Sequence, residues 1–280
     1  MHVIEKFLQS KNGDTASCED GIFAGRNLAA IVDGATSKGT LLYDGKTPGR
    51  LARDLVLEAI EDIDSTVDPD QMDSSRVLET LNEAIAAWYR ASGMYEDAQQ
   101  NPELRASASL VVYCEPLREL WMVGDCRART EYSVFGHDKR IDFLFSELRS
   151  YVIEDLLASG VTEQSLLEHD RSRELILPFL KMQHGFQNQR YRSDFSYSVL
   201  DGYFTELSNR RCIPVARSAT ELMLGSDGYP ELERTLAESE QSLQRMLDED
   251  PLMYRLHRST KGVTRGNLSF DDRAFLRLAI

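Results

Sequence analysis

The order of strand and helix signals along the 280 residues predicts an α+β fold. Strands come first, two amphipathic helices follow, further strands come next, and one more helix precedes a final strand. Hydrophobic residues make up 42% of the chain and charged residues 28%, which is ordinary for a globular fold that buries a large core. No repeat or low-complexity tract is evident, so we expect a single domain over residues 1–280.

The first part of the chain contains three predicted strands and two predicted helices. The strands cover residues 3–7, 21–24 and 28–32. A hairpin turn over 25–27 joins the last two, and apolar residues at helical spacing predict a helix over 48–63. The second helix has Ser74 or Ser75 as its N-cap and ends near Gly93. Two segments are expected to be loops, 39–46 and 95–105.

Beyond these loops the pattern predicts a hairpin and then a mixed region. Strands around Val111 and Met122 are joined by a turn over 115–118. Helical periodicity follows over 151–157 and 166–180. The remaining expected elements are strands over 198–204 and 222–224 and helical segments over 230–247 and 252–258.

Charge and cysteine content argue against several classes of function. The net charge of −14, from 32 basic and 46 acidic residues, disfavours a nucleic-acid partner and an anionic membrane surface. No apolar run approaches the roughly 18 residues typical of a membrane span, and the N-terminus lacks a signal segment. The four cysteines lie far apart and the five histidines show no metal-ligand spacing. We therefore expect a cytoplasmic protein with reduced thiols.

Four apolar runs each carry an aspartate at or beside one end: Asp33, Asp125, Asp227 and Asp271. A strand that stops at an Asp-Gly turn places its last side chain at the rim of the sheet. Carboxylates gathered at one rim repel one another, and hard divalent cations prefer such oxygen ligands. The simpler explanation is that acidic residues are abundant and that Asp-Gly is a common turn. The recurrence of the pattern at four strand ends favours a metal site.

The segments that contain these aspartates resemble the motifs of the metal-dependent protein serine/threonine phosphatases of the PP2C type. Residues 124–127 read Gly-Asp-Cys-Arg where the family has Gly-Asp-Ser-Arg, and residues 225–228 read Gly-Ser-Asp-Gly where it has Ala-Ser-Asp-Gly. The five matching segments, in the family's order, are 12–14, 28–34, 107–127, 222–228 and 271–278. They extend over nearly the whole chain and indicate a divergent member of bacterial type.

The resemblance implies a four-layer α-β-β-α sandwich, in which two antiparallel sheets pack face to face with helices outside. It also implies hydrolysis of phosphoserine or phosphothreonine by water that two Mn²⁺ or Mg²⁺ ions activate. Asp33 would bridge the two ions and Gly34 would offer its backbone carbonyl to one of them. Asp227 and Asp271 would complete the other, so that Asp33, Asp227 and Asp271 are the implied catalytic residues.

Three further positions complete the implied site. Asp14 would hold a metal-bound water, and Asp125 would help to bind a third, weaker ion. The arginine with which the family grips phosphate is absent at its usual spacing, so Lys11 or Lys6 would take its place with less specific geometry. Gly13 stands where many relatives have a glutamate.

These departures leave a second function open, a catalytically silent phosphatase-like domain that binds a phosphoprotein or a regulatory partner. The loop over 33–37 lacks the family's double glycine, and Asp272 replaces the usual asparagine. Retention of the three catalytic aspartates favours the enzyme. A third possibility, an unrelated α/β phosphotransferase, would need a nucleotide-binding loop, and no Gly-x-x-x-x-Gly-Lys-Ser/Thr stands in the sequence.

The implied partner is a phosphoprotein substrate, with a cognate serine/threonine kinase as a further candidate. The basic, aromatic stretch 183–197 has two interpretations. It is a flap that contacts phosphopeptide through its arginines, or a core-packing strand with exposed arginines. The strand is the preferred interpretation.

Overall fold

The computed structural model describes residues 1–36, 38–189, 193–203 and 210–280. Its strands, in chain order, are β1 (His2–Gln9), β2 (Asp20–Ala24), β3 (Leu28–Gly34), β4 (Ala108–Cys114), β5 (Glu119–Val123), β6 (Arg127–Thr130), β7 (Val134–Phe135), β8 (Arg211–Pro214), β9 (Glu221–Gly225) and β10 (Arg273–Ala279). Its α-helices are α1 (Pro48–Thr66), α2 (Ser74–Ala91), α3 (Tyr95–Gln100), α4 (Arg140–Ala158), α5 (Glu163–Glu168), α6 (Arg171–Met182) and α7 (Leu236–Glu249).

The strands of the described residues form two antiparallel sheets that pack face to face. The first sheet has the order β1-β10-β9-β6-β7 and the second the order β2-β3-β4-β5-β8. Between them lie apolar side chains such as Ile31 and Val111 of the second sheet and Leu224 and Leu276 of the first. Helices α1 and α2 cover the outer face of the second sheet, and α7 covers that of the first. The expected α+β sandwich with four layers is confirmed.

Local sequence determines where the first two long helices begin. The side chain of Thr47 accepts a backbone N–H of the first turn of α1, and Pro48 occupies its first position. Asp73 caps α2 in the same way. The prediction that Ser74 or Ser75 is this cap was therefore wrong by one or two residues, because the Asp73 carboxylate accepts the backbone N–H of Arg76.

Strands β2 and β3 form a hairpin whose turn is held by α1. The Asp64 carboxylate accepts three consecutive backbone N–H groups, those of residues 26–28, at 2.8, 2.7 and 2.7 Å. This arrangement sets the register of the hairpin, in which Asp20 pairs with Asp33. The two aspartates therefore lie opposite each other at the end of the hairpin that is farthest from the turn.

Helices α4 and α6 pack against each other beside the sandwich. Ile141 and Phe145 of α4 contact Ile176 and Leu180 of α6 in a small apolar core. Helix α4 begins well before the predicted residue 151, and the single helix predicted over 166–180 is divided into α5 and α6. The division follows from Asp170, whose carboxylate accepts the N–H of the third residue of α6 at 3.0 Å and so starts a new helix.

Three further predictions of secondary structure were wrong. The segment 95–105 contains α3 rather than only a loop, because Ala98 is buried against the helical layer. Helix α7 begins later than residue 230, since Thr235 and Glu238 form a capping box at its start. The segment 252–258 is not helical, because the Asp250 carboxylate accepts the N–H groups of residues 254–256 and holds a turn.

The described parts of the basic stretch 183–197 do not form the preferred strand. Residues Gln183–Phe186 form a 3-10 turn, and the Phe186 ring contacts the Phe195 ring edge to face. Arg190, Tyr191 and Arg192 lie outside the described residues. Residues 198–203 contain only an isolated bridge from Leu200 to Ala108 in place of the predicted strand, and Phe204 also lies outside the described residues.

Among the described helices, none combines the length and the apolar character needed to cross a bilayer.

Candidate metal centre

The strand β3 carries the first carboxylate of the site. Its side chains alternate, so that Ala29 and Ile31 face the first sheet while Leu28 and Ala30 face the helices. Asp33 continues the inward-facing set at the end of the strand and therefore projects into the space between the sheets.

The loop after β5 delivers Asp125 to the same place. Gly124 turns the chain with φ of +86°, and a Cβ there would lie 2.2 Å from the Ser109 hydroxyl. That hydroxyl donates a hydrogen bond of 2.5 Å to Asp125 Oδ1. The glycine thus permits the close approach by which Ser109 orients the carboxylate.

The first sheet supplies the opposite side of the site from two neighbouring strands. Asp227 follows β9, and Asp271 precedes β10. Asp272, next in the chain, accepts the backbone N–H groups of Lys11 and Glu19 at 2.8 and 2.7 Å. Asp272 therefore ties the start of β10 to the segments that lead out of β1 and into β2.

Carboxylates from both sheets meet in one cluster. Asp33, Asp125 and Asp227 each present an oxygen atom, and these atoms all lie within 4.8 Å of one another. Burial raises the pKa of Asp33 well above its ordinary value, and repulsion from Asp227, Asp20 and Asp125 adds to this. Burial and then repulsion from Asp271 and Asp125 raise the pKa of Asp227 to about 7. This concentration of negative charge is typical of a cation site.

Asp20 belongs to the same cluster and was missed in the sequence. It is 2% exposed, and its Oδ2 atom has no hydrogen-bond partner among the residues that the structure describes. Burial raises its pKa well above the ordinary value, and the carboxylates of Asp271, Asp272 and Asp227 contribute. A buried, unpaired carboxylate oxygen costs free energy unless a proton or a cation meets it. The register of the β2–β3 hairpin identifies Asp20, and the turn predicted over 25–27 gives a register that differs from the observed one by one residue.

Lysine side chains neutralise the other two carboxylates. Lys139 Nζ lies 2.8 Å from Asp125 Oδ2, and Lys261 pairs with Asp271 Oδ2. Burial raises the pKa of both carboxylates, but the attraction of these ammonium groups exceeds it and leaves the pKa below the ordinary value. The cluster is therefore divided. Asp20, Asp33 and Asp227 have raised pKa values, whereas Asp125 and Asp271 are held ionised.

Lys11 lies among carboxylates rather than free in the cleft. Its Nζ is 3.6 Å from Glu19, 3.5 Å from Asp271 and 3.6 Å from Asp272. Burial lowers the pKa of Lys11, but these three carboxylates raise it further, above the ordinary lysine value. An ammonium held in this way is poorly placed to bind a substrate phosphate.

Asp14 lies apart from the cluster. It is exposed, and its carboxylate accepts the Ala16 N–H at 2.9 Å as the cap of a 3-10 turn. Gly34 ends β3 directly after Asp33, and a Cβ at this position would lie 2.2 Å from the Gly49 carbonyl oxygen. Of the residues that the resemblance implies, the structure thus brings together Asp33, Gly34, Asp125, Asp227 and Asp271, but not Asp14.

The donor set fits a hard divalent cation. All the atoms offered are carboxylate oxygens, the ligands that Mg²⁺ and Mn²⁺ prefer. Asp20, Asp33 and Asp227 would hold an ion, since their raised pKa values and the unpaired oxygen of Asp20 show that the protein itself does not neutralise them.

A cleft of about 260 Å³ opens beside the cluster, bounded by α4, α6 and the segment 257–261. Asp33, Asp125, Asp227 and Asp271 form its floor. Its walls are rich in cationic side chains: Lys38, Arg127, Lys139, Arg173, Arg258 and Lys261. A small anionic group would therefore meet cationic side chains beside a carboxylate cluster that accepts cations.

Solved structures share this architecture over the whole chain. The serine/threonine phosphatase Stp1 from Staphylococcus aureus is 16% identical, with 100% of this chain and 96% of that chain covered and a TM-score of 0.50. A bacterial serine phosphatase is 14% identical, with 100% and 98% covered and a TM-score of 0.50. Mycobacterium tuberculosis PstP in complex with two manganese ions is 16% identical, with 99% of each chain covered and a TM-score of 0.49.

The chain therefore has the fold of the bacterial PP2C-type serine/threonine phosphatases, and the resemblance first noted in its motifs is confirmed at the level of the fold. No protein-family model matches the sequence, and no curated protein does. The likeness thus lies in the arrangement of strands and helices rather than in overall sequence similarity.

Proposed function

We propose that the protein is a metal-dependent phosphatase that hydrolyses phosphoserine or phosphothreonine monoesters in proteins. The observation that supports this most is the group formed by Asp33, Asp125 and Asp227, whose oxygen atoms lie within 4.8 Å of one another at the floor of a cationic cleft. The fold, shared with serine/threonine phosphatases, is consistent with that chemistry.

The proposed ligands follow from the division of the carboxylates. Asp33 and Asp227, with Asp20 beside them, would hold two Mn²⁺ or Mg²⁺ ions together with Asp271 and the Gly34 carbonyl. Asp125 would contribute to a third, weaker site, because Lys139 already neutralises one of its oxygens. Bound divalent ions lower the pKa of a water and neutralise phosphoryl oxygens.

The protein's own residues would bind and orient the substrate. Cationic side chains of the cleft wall would attract the phosphate dianion and fix it above the carboxylates. Ser109 would hold Asp125 in one orientation through its hydrogen bond, and Asp272 would hold the strand end that carries Asp271. Asp14, exposed and turned to its own backbone, has no part in this proposal.

A silent phosphatase-like domain is the second candidate, and one observation favours it. Both oxygens of Asp271 face ammonium groups, Lys11 at one and Lys261 at the other. A carboxylate neutralised in this way binds a metal ion only when it displaces a lysine, and such a site would hold fewer ions.

Hydrolysis of p-nitrophenyl phosphate and of a phosphopeptide panel, with manganese and with chelator, distinguishes the two candidates. We expect manganese-dependent release of phosphate that chelator abolishes. Manganese that raises the melting temperature while no phosphoester is hydrolysed would instead establish the silent domain.

Several expectations remain part of the proposal. We propose one domain over residues 1–280, a cytoplasmic location, and a phosphoprotein substrate that a cognate serine/threonine kinase supplies. Neither nucleic acid nor membrane is a proposed partner, because the net charge of −14 opposes association with polyanions.

A further inference from the structure

Most cationic side chains of the cleft already have a carboxylate partner. Arg127 lies 2.7 Å from Asp138, Lys139 lies 2.8 Å from Asp125, Arg258 pairs with Glu147, and Lys261 pairs with Asp271. Lys38 and Arg173 are different. Within the described parts of the chain, neither of them has a carboxylate oxygen within salt-bridge distance.

Lys38 follows β3 and lines the cleft above the carboxylate cluster. Within the described residues its ammonium makes no hydrogen bond. Burial lowers its pKa to about 8; the charge of Asp142 opposes this, while Lys139, Arg173 and Lys261 add to it. A partly buried ammonium surrounded mainly by other cations is destabilised, and an anion bound beside it would relieve that cost.

Arg173 lies in the first turn of α6 and lines the same cleft. One terminal nitrogen donates to the Thr260 carbonyl oxygen at 2.6 Å, which fixes the guanidinium in place. The other terminal nitrogen and Nε have no acceptor among the described residues. Arg173 and Lys38 are close enough for the charge of one to depress the pKa of the other. The pair therefore presents unused N–H donors to the same space.

We propose that Lys38 and Arg173 bind the phosphate dianion of the substrate, in the role that the resemblance implies for Lys11. This inference rests on the proposed function and names the residues that hold the reacting group. The planar guanidinium donates two parallel hydrogen bonds to phosphate oxygens, and the lysine adds a point charge. Lys11 does not serve, because Glu19, Asp271 and Asp272 already surround its ammonium.

The test is calorimetric binding of inorganic phosphate to the full, manganese-loaded chain. Lys38→Met and Arg173→Met are each expected to weaken phosphate binding about tenfold to hundredfold, the usual effect of removing a hydrogen bond to a charged group. Matched controls are Lys181→Met and Arg171→Met, which replace exposed residues on the same helix as Arg173 and should bind phosphate like the parent.

Manganese affinity, measured without phosphate, should not fall in either variant, since each substitution removes a positive charge from the cleft, and that of Arg173 acts on Asp271. Should Arg173→Met fail to fold, Arg173→Lys is the alternative. It keeps the positive charge but loses the two parallel donors of the guanidinium, and it should bind phosphate with intermediate affinity. Phosphate affinity equal to that of the parent in Lys38→Met and Arg173→Met overturns the inference. A large loss in Lys11→Met alone also overturns it and restores Lys11 as the phosphate ligand.

A failure of this inference can be distinguished from a failure of the proposed function. A protein that hydrolyses no phosphoester yet loses phosphate binding in both variants supports the inference and refutes the enzyme. If the parent is active, both variants should raise KM more than they lower kcat. An active enzyme with unchanged KM in both variants refutes the inference alone.

Discussion

At the scale of single residues, the division of the carboxylates determines how the site responds to pH. Asp227 has a pKa of about 7, against an ordinary value of 3.8. The metal-free native state therefore holds a proton between about pH 4 and pH 7 that the unfolded chain has released. Its stabilising effect is complete below pH 4 and is lost as the pH rises through 7.

Asp227→Asn should remove this loss of stability. In chelator at pH 7.5 we expect the variant to melt about 3 to 8 °C above the parent, because a neutral amide replaces a repelled carboxylate. Melting curves from pH 4.5 to 8 would also show a weaker decline for the variant. The exposed Asp62→Asn serves as the control and should follow the parent. Identical pH profiles for Asp227→Asn and the parent would contradict the prediction.

A second prediction at this scale concerns catalysis. Asp33→Ala and Asp227→Ala should reduce phosphatase activity below about one hundredth of the parent value, since each removes a charge on which the transition state depends. Cys126→Ser should keep most of it. Burial raises the pKa of the Cys126 thiol well above its ordinary value, and Asp33 and Asp125 add to this, so no thiolate is present at neutral pH. Initial rates with p-nitrophenyl phosphate and manganese decide the matter; loss of activity in Cys126→Ser alone would refute it.

At the scale of the element, the β2–β3 hairpin is the part of the chain on which the site depends most. It carries Asp20 and Asp33 on neighbouring strands, and its turn is held by three hydrogen bonds to Asp64 of α1. The turn and the aspartates lie at opposite ends of the hairpin. A change at Asp64 is therefore expected to act on Asp20 and Asp33 through the register of the strands.

Asp64→Ala should destabilise the protein by about 2 to 4 kcal/mol, because three backbone N–H groups lose a charged acceptor. We also expect weaker manganese binding, since a slip of one residue would move Asp33 to the other face of the sheet. Urea denaturation and manganese titration measure the two effects. The control is Asp62→Ala, two residues earlier on the same helix and exposed, which should leave both unchanged. If Asp64→Ala were as stable as the parent, the turn would not depend on the Asp64 carboxylate.

The same hairpin shows how far sequence reasoning reaches. Periodicity located β2, β3 and α1, and the position of Asp33 at a strand end indicated a rim carboxylate. A turn over 25–27 pairs Ala24 with Leu28, whereas the capped turn pairs Ala24 with Ala29. That difference of one residue decides whether Asp20 faces Asp33, and it depends on Asp64, which lies 36 residues from Leu28 in the chain.

Other side-chain contacts from distant parts of the chain account for the remaining errors. The sequence 252–258 has helical periodicity, but the Asp250 carboxylate binds its backbone N–H groups and imposes a turn. Lys11 stood near the expected position of a phosphate ligand, but Asp271 and Asp272, about 260 residues away, surround it. Local pattern predicted most of the elements, because these follow from burial, and the family resemblance implied the layers. It could not predict which charged side chains pair with groups from distant parts of the chain.

At the scale of the whole molecule, we expect metal binding and folding to be coupled, because the carboxylate cluster is assembled from both sheets and exists only in the native state. Manganese at a hundredfold excess over its Kd should stabilise the protein by about 2.7 kcal/mol, which corresponds to a rise of about 5 to 10 °C in Tm. Chelator should reverse the rise. Asp33→Asn should respond to manganese far less than the parent; an equal response would remove Asp33 from the set of ligands.

The position of the carboxylates at one end of the sandwich also has a mechanical consequence. Asp33 extends from β3 of the second sheet and Asp271 precedes β10 of the first, and behind them the two layers pack through an apolar cluster that includes Ile31 and Leu276. An ion bound by both carboxylates would link the two sheets and oppose their separation. Amide hydrogen exchange should then slow together in β3 and β10 when manganese is added, although no backbone hydrogen bond joins those strands.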